Sequence, residues 1–511
     1  KKHEMLVLFA MDICPDDPES CAAWTITFSM ILLMIAFFVA NIFHRFHWHF
    51  IPESCIFIVI GLIFGGIFLI FYSHDQLSSF MALNEPSFIL LLLPPIIFDG
   101  GYNLKKIYFF RNFGLIMTLA IGGTAFSAVL IGGTLYVFSN YTGMEPQNIG
   151  AAEAMSVGSL LSATDPVAAL AVYSTLGVDR TLYTLVYGES NLNDAIGIVF
   201  YRTFRGMYDQ EEQPLNEDYD PAWDAVLQFA EVTIAAPLIG LGTGLFAAIV
   251  FKFSKFNEIP IVEGVMFWSF SYLSYLLGEA PGFSGIISTL FAGFIMRHYA
   301  YHNLSDKGKE LSIDIIKFLA TTADTVIFIN LGYSPFAFKS ETIWSFPVIA
   351  LTISICMISR AIVVFAICLF ANQVRKFRTA VAPVSWKTQT VLFHAGLRGA
   401  VAFVLALEFI QGDDGQPPTD YWLATTLAVI FFTVFVLGGT TALLVKVLGV
   451  KSEGEKMHNT EVSSAYTEVF YDWERKWIAP IFVNSSALDE LMVDDGSVNA
   501  EDEIKAKLLA K

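Results

Sequence analysis

Charge is scarce in this chain, and positive charge scarcer still. Only 15% of the 511 residues are charged, with 30 Lys plus Arg against 48 Asp plus Glu and a formal net charge of −18. Soluble domains carry about 25% charged residues, so this composition does not supply an ordinary water-facing surface. The acidic balance, with no basic stripe, excludes nucleic acid as a partner. Cysteine is sparse as well: there are five, and none stands in a Cys/His spacing that would hold zinc. Cys55, Cys356 and Cys368 lie within apolar runs, where a thiol is a small buried hydrophobe. Cys14 and Cys21 flank the acidic turn Pro15-Asp16-Asp17-Pro18 and can pair if that end faces an oxidising compartment. The apolar run at 5–11 is too short to span a bilayer and lacks a signal-peptide pattern.

What the chain has instead is apolar length. It is 55% hydrophobic with 47 phenylalanines, and its mean hydropathy is +0.57. Runs of about 20 apolar residues are the mark of membrane-spanning helices. Thirteen windows qualify: 22–43, 52–72, 87–103, 113–138, 151–176, 181–204, 224–251, 261–278, 283–300, 311–331, 345–370, 387–409 and 419–447. The expected fold is therefore an all-α polytopic membrane protein of about 13 helices. The third window is short and holds Pro94 and Pro95, which predicts a kinked or broken helix. The chain divides into an N-terminal segment (1–21), a membrane domain (22–447) and a polar tail (448–511).

Lys and Arg accumulate on the cytoplasmic side of membranes, which gives an orientation. With the tail in the cytosol, the inner loops hold Arg45; Lys105, Lys106 and Arg111; Arg180; Lys252 and Lys255; Arg297, Lys307 and Lys309; and Arg375, Lys376, Arg378 and Lys387. The outer loops hold Lys339 and a run of acids, among them Glu217, Asp218, Asp220, Asp413 and Asp414. Arg202 and Arg205, near the outer end of the sixth window, break the pattern. The N-terminus is then lumenal or extracellular and the C-terminus cytosolic. Of the Asn-x-Ser/Thr sequons, Asn140 alone falls outside, in a short loop, while Asn303 and Asn484 fall inside. In the tail, Tyr466, Val469, Phe470, Trp473 and Trp477 recur at helical spacing. That pattern suits an amphipathic helix near 462–480, on the inner membrane surface or against the transport domain, where cytosolic regulators could also bind. The acidic stretch 489–503 reads as solvated. His44, His47 and His49 form a cluster best read as surface.

Against this background, carboxylates at membrane depth stand out, because a charge there is costly and needs a partner. Ser162-Ala-Thr-Asp-Pro166 interrupts the fifth window. Irregular backbone at that depth survives only where protein or a water-filled cavity surrounds it. Thr164, Asp165 and the freed carbonyls make a hard-oxygen setting for a small cation. A proline kink with Asp165 capping the second half-helix accounts for this segment equally well. In the sixth window Glu189 and Asn193 share one helix face, with Asp194 about 100° further round. A carboxylate there can serve two ligands in turn, a proton or a metal ion that displaces it. Arg360, in the middle of the eleventh window, needs a carboxylate, and Glu189 is the first candidate. Arg398 lies in Ala395-Gly-Leu-Arg-Gly399, whose glycines, Gly396 and Gly399, favour an interruption of the twelfth window. Windows five and twelve then form a pair of broken helices, the best sequence pointer to a transport site. Arg398 can cap the loose ends or take part in transport. Asp99 follows the third window and can face a vestibule, whereas Glu263 and Asp324 read as local caps or helix–helix glue.

The chain resembles the eukaryotic sodium/proton exchangers of the monovalent cation/proton antiporter superfamily, nearest in pattern to the organellar branch. The resemblance rests on Leu91-Leu-Leu-Pro-Pro-Ile-Ile-Phe98, Ser162-Ala-Thr-Asp-Pro-Val167, Gly188-Glu-Ser190 with Leu192-Asn-Asp-Ala195, and Gly396-Leu-Arg-Gly-Ala-Val-Ala-Phe403. It runs from about residue 20 to 447, and weakly into 471–480. It implies a homodimer of protomers with inverted repeats, a dimerisation part and a moving six-helix core. It implies exchange of Na⁺ or K⁺ for H⁺ by elevator-like alternating access, with no cofactor. On this resemblance Asp194 is the ion-binding carboxylate, with Asp165, Thr164 and Asn193 beside it, and Glu189 and Arg360 are the ion pair of the core. The Asn193-Asp194 pair resembles electroneutral members. An endosomal, Golgi or vacuolar membrane is favoured, with the plasma membrane as the other site. A different class of function is an intramembrane serine protease of rhomboid type, from Gly282-Phe283-Ser284-Gly285. Its base would be His298, about 21 Å along the same helix, or His394. An aspartyl protease using Asp165 and Asp194 lacks the usual motif, and a cation channel would carry current where an exchanger does not.

Overall fold

The computed structural model describes residues 18–46, 52–71, 85–104, 109, 112–142, 146–165, 167–212, 230, 234–254, 256–338, 343–377, 383–411, 420–450 and 473–484. Cys14 and its pairing with Cys21, His47 and His49, the loop charges at 105, 106, 111, 217–220, 255, 339, 378, 413 and 414, and the tail at 451–472 and 485–511 lie outside the described residues. So do the side chains of Arg180 and of the acids at 209, 211 and 212.

Helix is the only regular structure among the described residues. The helices are α1 (Pro18–Arg45), α2 (Glu53–Phe71), α3 (Glu85–Tyr102), α4 (Phe113–Thr142), α5 (Ala151–Leu160), α6 (Val167–Leu176), α7 (Arg180–Glu212) and α8 (Ala236–Phe253). They continue with α9 (Pro260–Glu279), α10 (Gly285–Ile295), α11 (Asp306–Ala337), α12 (Phe346–Phe377), α13 (Trp386–His394), α14 (Ala400–Gln411), α15 (Asp420–Phe432) and α16 (Gly439–Leu448). Every apolar window contains helix. The fifth is split into α5 and α6 and the twelfth into α13 and α14. In the last, α15 and α16 are joined by a π-helical stretch, Thr433–Gly438.

Seven of these elements are long and apolar enough to cross a membrane by length and composition: α1, α2, α4, α8, α9, α12 and the run from Tyr421 to Leu448. The others fall short for a reason. They are short (α3 and α10), broken (α5/α6 and α13/α14), or they carry polar groups inward, as α7 and α11 do. Helices that bury polar side chains at membrane depth must hide polar chemistry between them.

The third helix is continuous through Pro94 and Pro95, so the expected break is absent. Pro94 has no N–H to give to the carbonyl of Leu90, four residues earlier. The hydroxyl of Tyr272 on α9 donates to that carbonyl instead, at 3.0 Å. A partner from another helix therefore keeps the run intact.

The two arginines that break the charge pattern are not free surface charges. Arg202 donates from Nη2 to Glu279 Oε1 at 2.7 Å and reaches the carbonyl of Phe283 at 3.4 Å. Arg205 is buried, stacks on the rings of Tyr208 and Phe409, and donates to the Phe409 carbonyl. Glu263 does serve as local glue, accepting from the backbone N–H and the hydroxyl of Ser305.

The described part of the tail, a π turn (Glu474–Ile478) and a short helix (Ala479–Phe482), packs on the membrane domain. Glu474 is buried against His298 and Tyr299. Asn303 donates to the carbonyl of Phe482 at 2.7 Å, and Lys252 to that of Pro480 at 2.5 Å. Trp473, Trp477 and Ile481 remain exposed.

Candidate functional site

The two interruptions cross each other. α5 ends at Leu160, residues 163–165 are not helical, and α6 resumes at Val167. α13 ends at His394, residues 396–399 are not helical, and α14 begins at Ala400. Where they meet, the N–H of Asp165 donates to the carbonyl of Leu397 at 2.8 Å.

Each break leaves helix-terminal groups unsatisfied, with partial negative charge at a C-terminal end and positive at an N-terminal end. The charged residue of each break compensates the other one. Arg398, 2% exposed, donates from Nη1 to the carbonyls of Ser162 and Ala163 at 2.6 and 2.7 Å, just past the end of α5. Asp165 Oδ2 accepts from the N–H of Ala400 at 3.3 Å, at the start of α14. Asp165 thus caps a helix in the opposite break. Arg398 N also donates to Thr433 Oγ1 at 3.1 Å, fixing the crossing against the π stretch.

Glycine is required here by space. A Cβ on Gly399 would overlap the Asp165 carboxylate, and one on Gly396 would lie 2.8 Å from Arg360 Nε.

α7 supplies the floor. Asn193 is fully engaged with the break: its amide oxygen accepts from the N–H of Thr164 at 3.2 Å, and its Nδ2 donates to Thr164 Oγ1 and, at 3.5 Å, to Glu189 Oε1. Ser190, not singled out by its sequence position, donates its hydroxyl to the Thr164 carbonyl. Arg360 meets Glu189 end-on with both terminal nitrogens, Nη1 to Oε1 and Nη2 to Oε2, the latter at 2.8 Å. Its Nη2 also reaches the carbonyl of Leu392 at 3.0 Å, near the end of α13. Glu189 is 1% exposed and Arg360 6%, so the pair is sealed from solvent.

Asp194 stands apart from this web. It is 8% exposed, and its Oδ1 is buried without a hydrogen-bond partner. It lines a cavity of about 80 Å³ together with Asp165, Asn191, Tyr187, Asp99 and Asp324, under an apolar wall of Leu93, Ile96 and Ile97. The placing of Asp324 as glue between helices is corrected: it faces this cavity. No local pattern set it apart, because Ala323-Asp324-Thr325 carries no motif and the residues that share its cavity come from α3, the break after α5, α7 and α14. Glu153 was also missed. It is buried in α5 and accepts from the indole N–H of Trp422 at 2.7 Å, a contact 269 residues away in sequence.

The serine of Gly282-Phe283-Ser284-Gly285 has a structural task. Ser284 is the N-cap of α10, its hydroxyl accepting from the N–H of Ile287 at 3.3 Å. His298 bonds Glu474, and His394 bonds the carbonyl of Leu437.

Comparison with known proteins agrees with this architecture. The family described as "Sodium/hydrogen exchanger, transmembrane" matches residues 32–447. Sodium/hydrogen exchanger 5 of Arabidopsis thaliana is 31% identical over 94% of this chain and 89% of its own length. Sodium/hydrogen exchanger 8 of Homo sapiens is 32% identical over 88% of this chain and 78% of its own. Among solved structures, the sodium proton antiporter MjNhaP1 from Methanocaldococcus jannaschii at pH 8 superposes with a TM-score of 0.66. It is 18% identical and covers 84% of this chain and 100% of that one, a likeness of fold. No match supports an intramembrane protease. The chain belongs to the sodium/hydrogen exchanger family, membrane transporters, not enzymes, that exchange Na⁺ for H⁺ without a cofactor.

Proposed function

We propose that Asp194 is the group on which Na⁺ and H⁺ compete, and that the crossed breaks hold it at membrane depth while the core carries it from one face to the other. The observation that carries this reading is the unpartnered, buried Oδ1 of Asp194 facing a cavity. Three polar neighbours on α7 are already engaged: Glu189 with Arg360, and Ser190 and Asn193 with Thr164. An ionised carboxylate left in this position requires a proton or a cation.

Asn193 is neutral and Glu189 is balanced by Arg360, so a single carboxylate changes occupant in each half-cycle. One monovalent cation for one proton is electroneutral. Asp165, with Thr164, shapes the site and lends an oxygen. Arg398, Gly396 and Gly399 keep the crossing compact enough to move as one piece. K⁺ would find the same oxygen ligands as Na⁺.

The working unit is a homodimer in an organellar membrane, with the N-terminus lumenal and the tail cytosolic, an orientation supported by the loop charges. The tail segment at 473–484 docks on α8 and the end of α10 and leaves Trp473 and Trp477 for the lipid surface. Cytosolic regulators would act there.

The test is exchange in proteoliposomes with an imposed pH gradient. Adding Na⁺ dissipates the gradient in the wild type, without a current, and Asp194→Asn abolishes this. Wild-type exchange by Asp194→Asn would refute the assignment.

A further inference from the structure

The cavity beside Asp194 contains more negative charge than a single exchanging carboxylate needs. Four aspartates line it: Asp165, Asp194, Asp99 and Asp324. The cations within electrostatic reach are few. Arg398 acts on Asp194, but its Nη1 is committed to two carbonyls. Lys317 acts on Asp99 from the exposed side of α11. Asp99 has one oxygen engaged, accepting from Asn103 Nδ2 at 2.7 Å, and Tyr187 donates to its backbone carbonyl. Asp324 interacts electrostatically with Asp165 and Asp99, both acids. A cluster of this kind needs a counter-ion. The Asp194 Oδ1, more than nine-tenths buried, unpartnered and lining the same cavity, points to a ligand there.

The four aspartates sit on different parts of the molecule. Asp165 and Asp194 belong to the crossing and to α7. Asp99 and Asp324 belong to α3 and α11. Those two helices pack with α2, α9 and α10: Phe98 and Tyr102 of α3 meet Phe267 of α9 edge to face, and the α11 residues Ile327, Phe328 and Leu331 share a core with Phe57 and Ile58 of α2.

The cavity also has a direction. Asp99 stands in the last turn of α3, which ends at Tyr102. Tyr102 meets Tyr301 and Arg297, and the neighbouring His298, Tyr299 and Asn303 hold the tail segment. The lining therefore leads from Asp194 toward the tail-bearing face.

We infer that Asp99 and Asp324 form a second, monovalent-cation-loading site that Asp194 meets only when the core faces the tail side. This inference rests on the exchange reading above and adds sidedness to it. In the state open to the tail side, an arriving Na⁺ is attracted by Asp99 and Asp324 before Asp194 takes it up. In the opposite state Asp194 and Asp165 have moved away from α3 and α11, and the cation binds without them. The two faces should therefore differ in apparent cation affinity, and neutralising Asp324 should weaken one face alone. Loss of one carboxylate a few ångströms from a cation corresponds to on the order of a tenfold change in affinity.

The experiment uses the full chain, reconstituted at fewer than one exchanger per vesicle and captured by a C-terminal tag, so that every tail points outward. Na⁺ is varied outside or inside, and exchange is read from a trapped pH dye. Asp324→Asn raises the external KM for Na⁺ about tenfold and leaves the internal KM at its wild-type value, and Asp324→Glu restores the external KM. A KM unchanged on both faces, or raised equally on both, overturns the inference. Asp99→Asn, with the same expected asymmetry, decides the matter if Asp324→Asn is not monodisperse in detergent. Exchange by Asp194→Asn in the same vesicles would instead count against the underlying reading and leave the sided KM values to be judged separately.

Discussion

Removing Arg360 should cost the fold more than removing its whole ion pair. In Arg360→Ala, the Glu189 carboxylate remains 1% exposed, with the Asn193 amide at 3.5 Å as its remaining described donor. Breaking a buried pair by deleting one partner costs ~3–5 kcal/mol, because a charge is left without its partner. The Leu392 carbonyl also loses its donor, a further ~1 kcal/mol. For a chain this long, each kcal/mol corresponds to roughly 2 °C, so the midpoint of thermal unfolding should fall by roughly 8–12 °C. Glu189→Gln combined with Arg360→Ala removes the stranded charge and should recover about half of that loss. The lost packing and the Leu392 bond account for the remainder. The assay is loss of monodisperse protein on heating in detergent, followed by size exclusion, with both single variants and the double variant run as a cycle. If the double variant is no more stable than Arg360→Ala, the two residues are not neutralising one another and the account of this pair fails.

Three further outcomes follow from the same contacts. Gly399→Ala forces a Cβ onto the Asp165 carboxylate and should reduce exchange by at least tenfold, whereas Gly242→Ala, facing open space, should not, as flux assays on matched amounts of protein would show. Ser284→Ala should retain exchange and lose about 1 kcal/mol of stability with its N-cap, measurable as a small fall in the thermal midpoint. Glu279→Gln breaks a partly exposed pair worth no more than about 1 kcal/mol, so the midpoint should barely move. Because Arg202 sits on α7 and Glu279 at the end of α9, the same change should alter the maximal exchange rate.

The helices were legible wherever a run of apolar side chains set the answer. Length and hydropathy are local properties, and every window drawn from them contains helix. The prolines of α3 left a kink or a break open, and the break does not occur. Pro94 predicts a break only if no other group satisfies Leu90, and the hydroxyl that does so belongs to Tyr272, 182 residues away. Within the site, Arg360 and Glu189 could be matched because a mid-membrane guanidinium narrows its possible partners to buried acids. Asp324 could not be placed, since an aspartate in a helix looks the same facing a neighbour or a cavity.

The crossing itself shows why its logic is hidden in the sequence. Read alone, Thr164-Asp165-Pro166 offers an aspartate to cap the helix that follows it, and Gly396-Leu397-Arg398-Gly399 offers an arginine to the helix end before it. In the folded chain the two charges are exchanged: Asp165 caps α14 and Arg398 caps the end of α5. Neither break can satisfy its own ends once the other is removed, so the two must travel together if either moves. On the exchange reading proposed above, that mutual dependence leaves Asp194 as the group that changes partners. It sits next to the crossing with its Oδ1 outside the crossing's hydrogen bonds, so under that reading a proton or a cation comes and goes without loosening the structure around it.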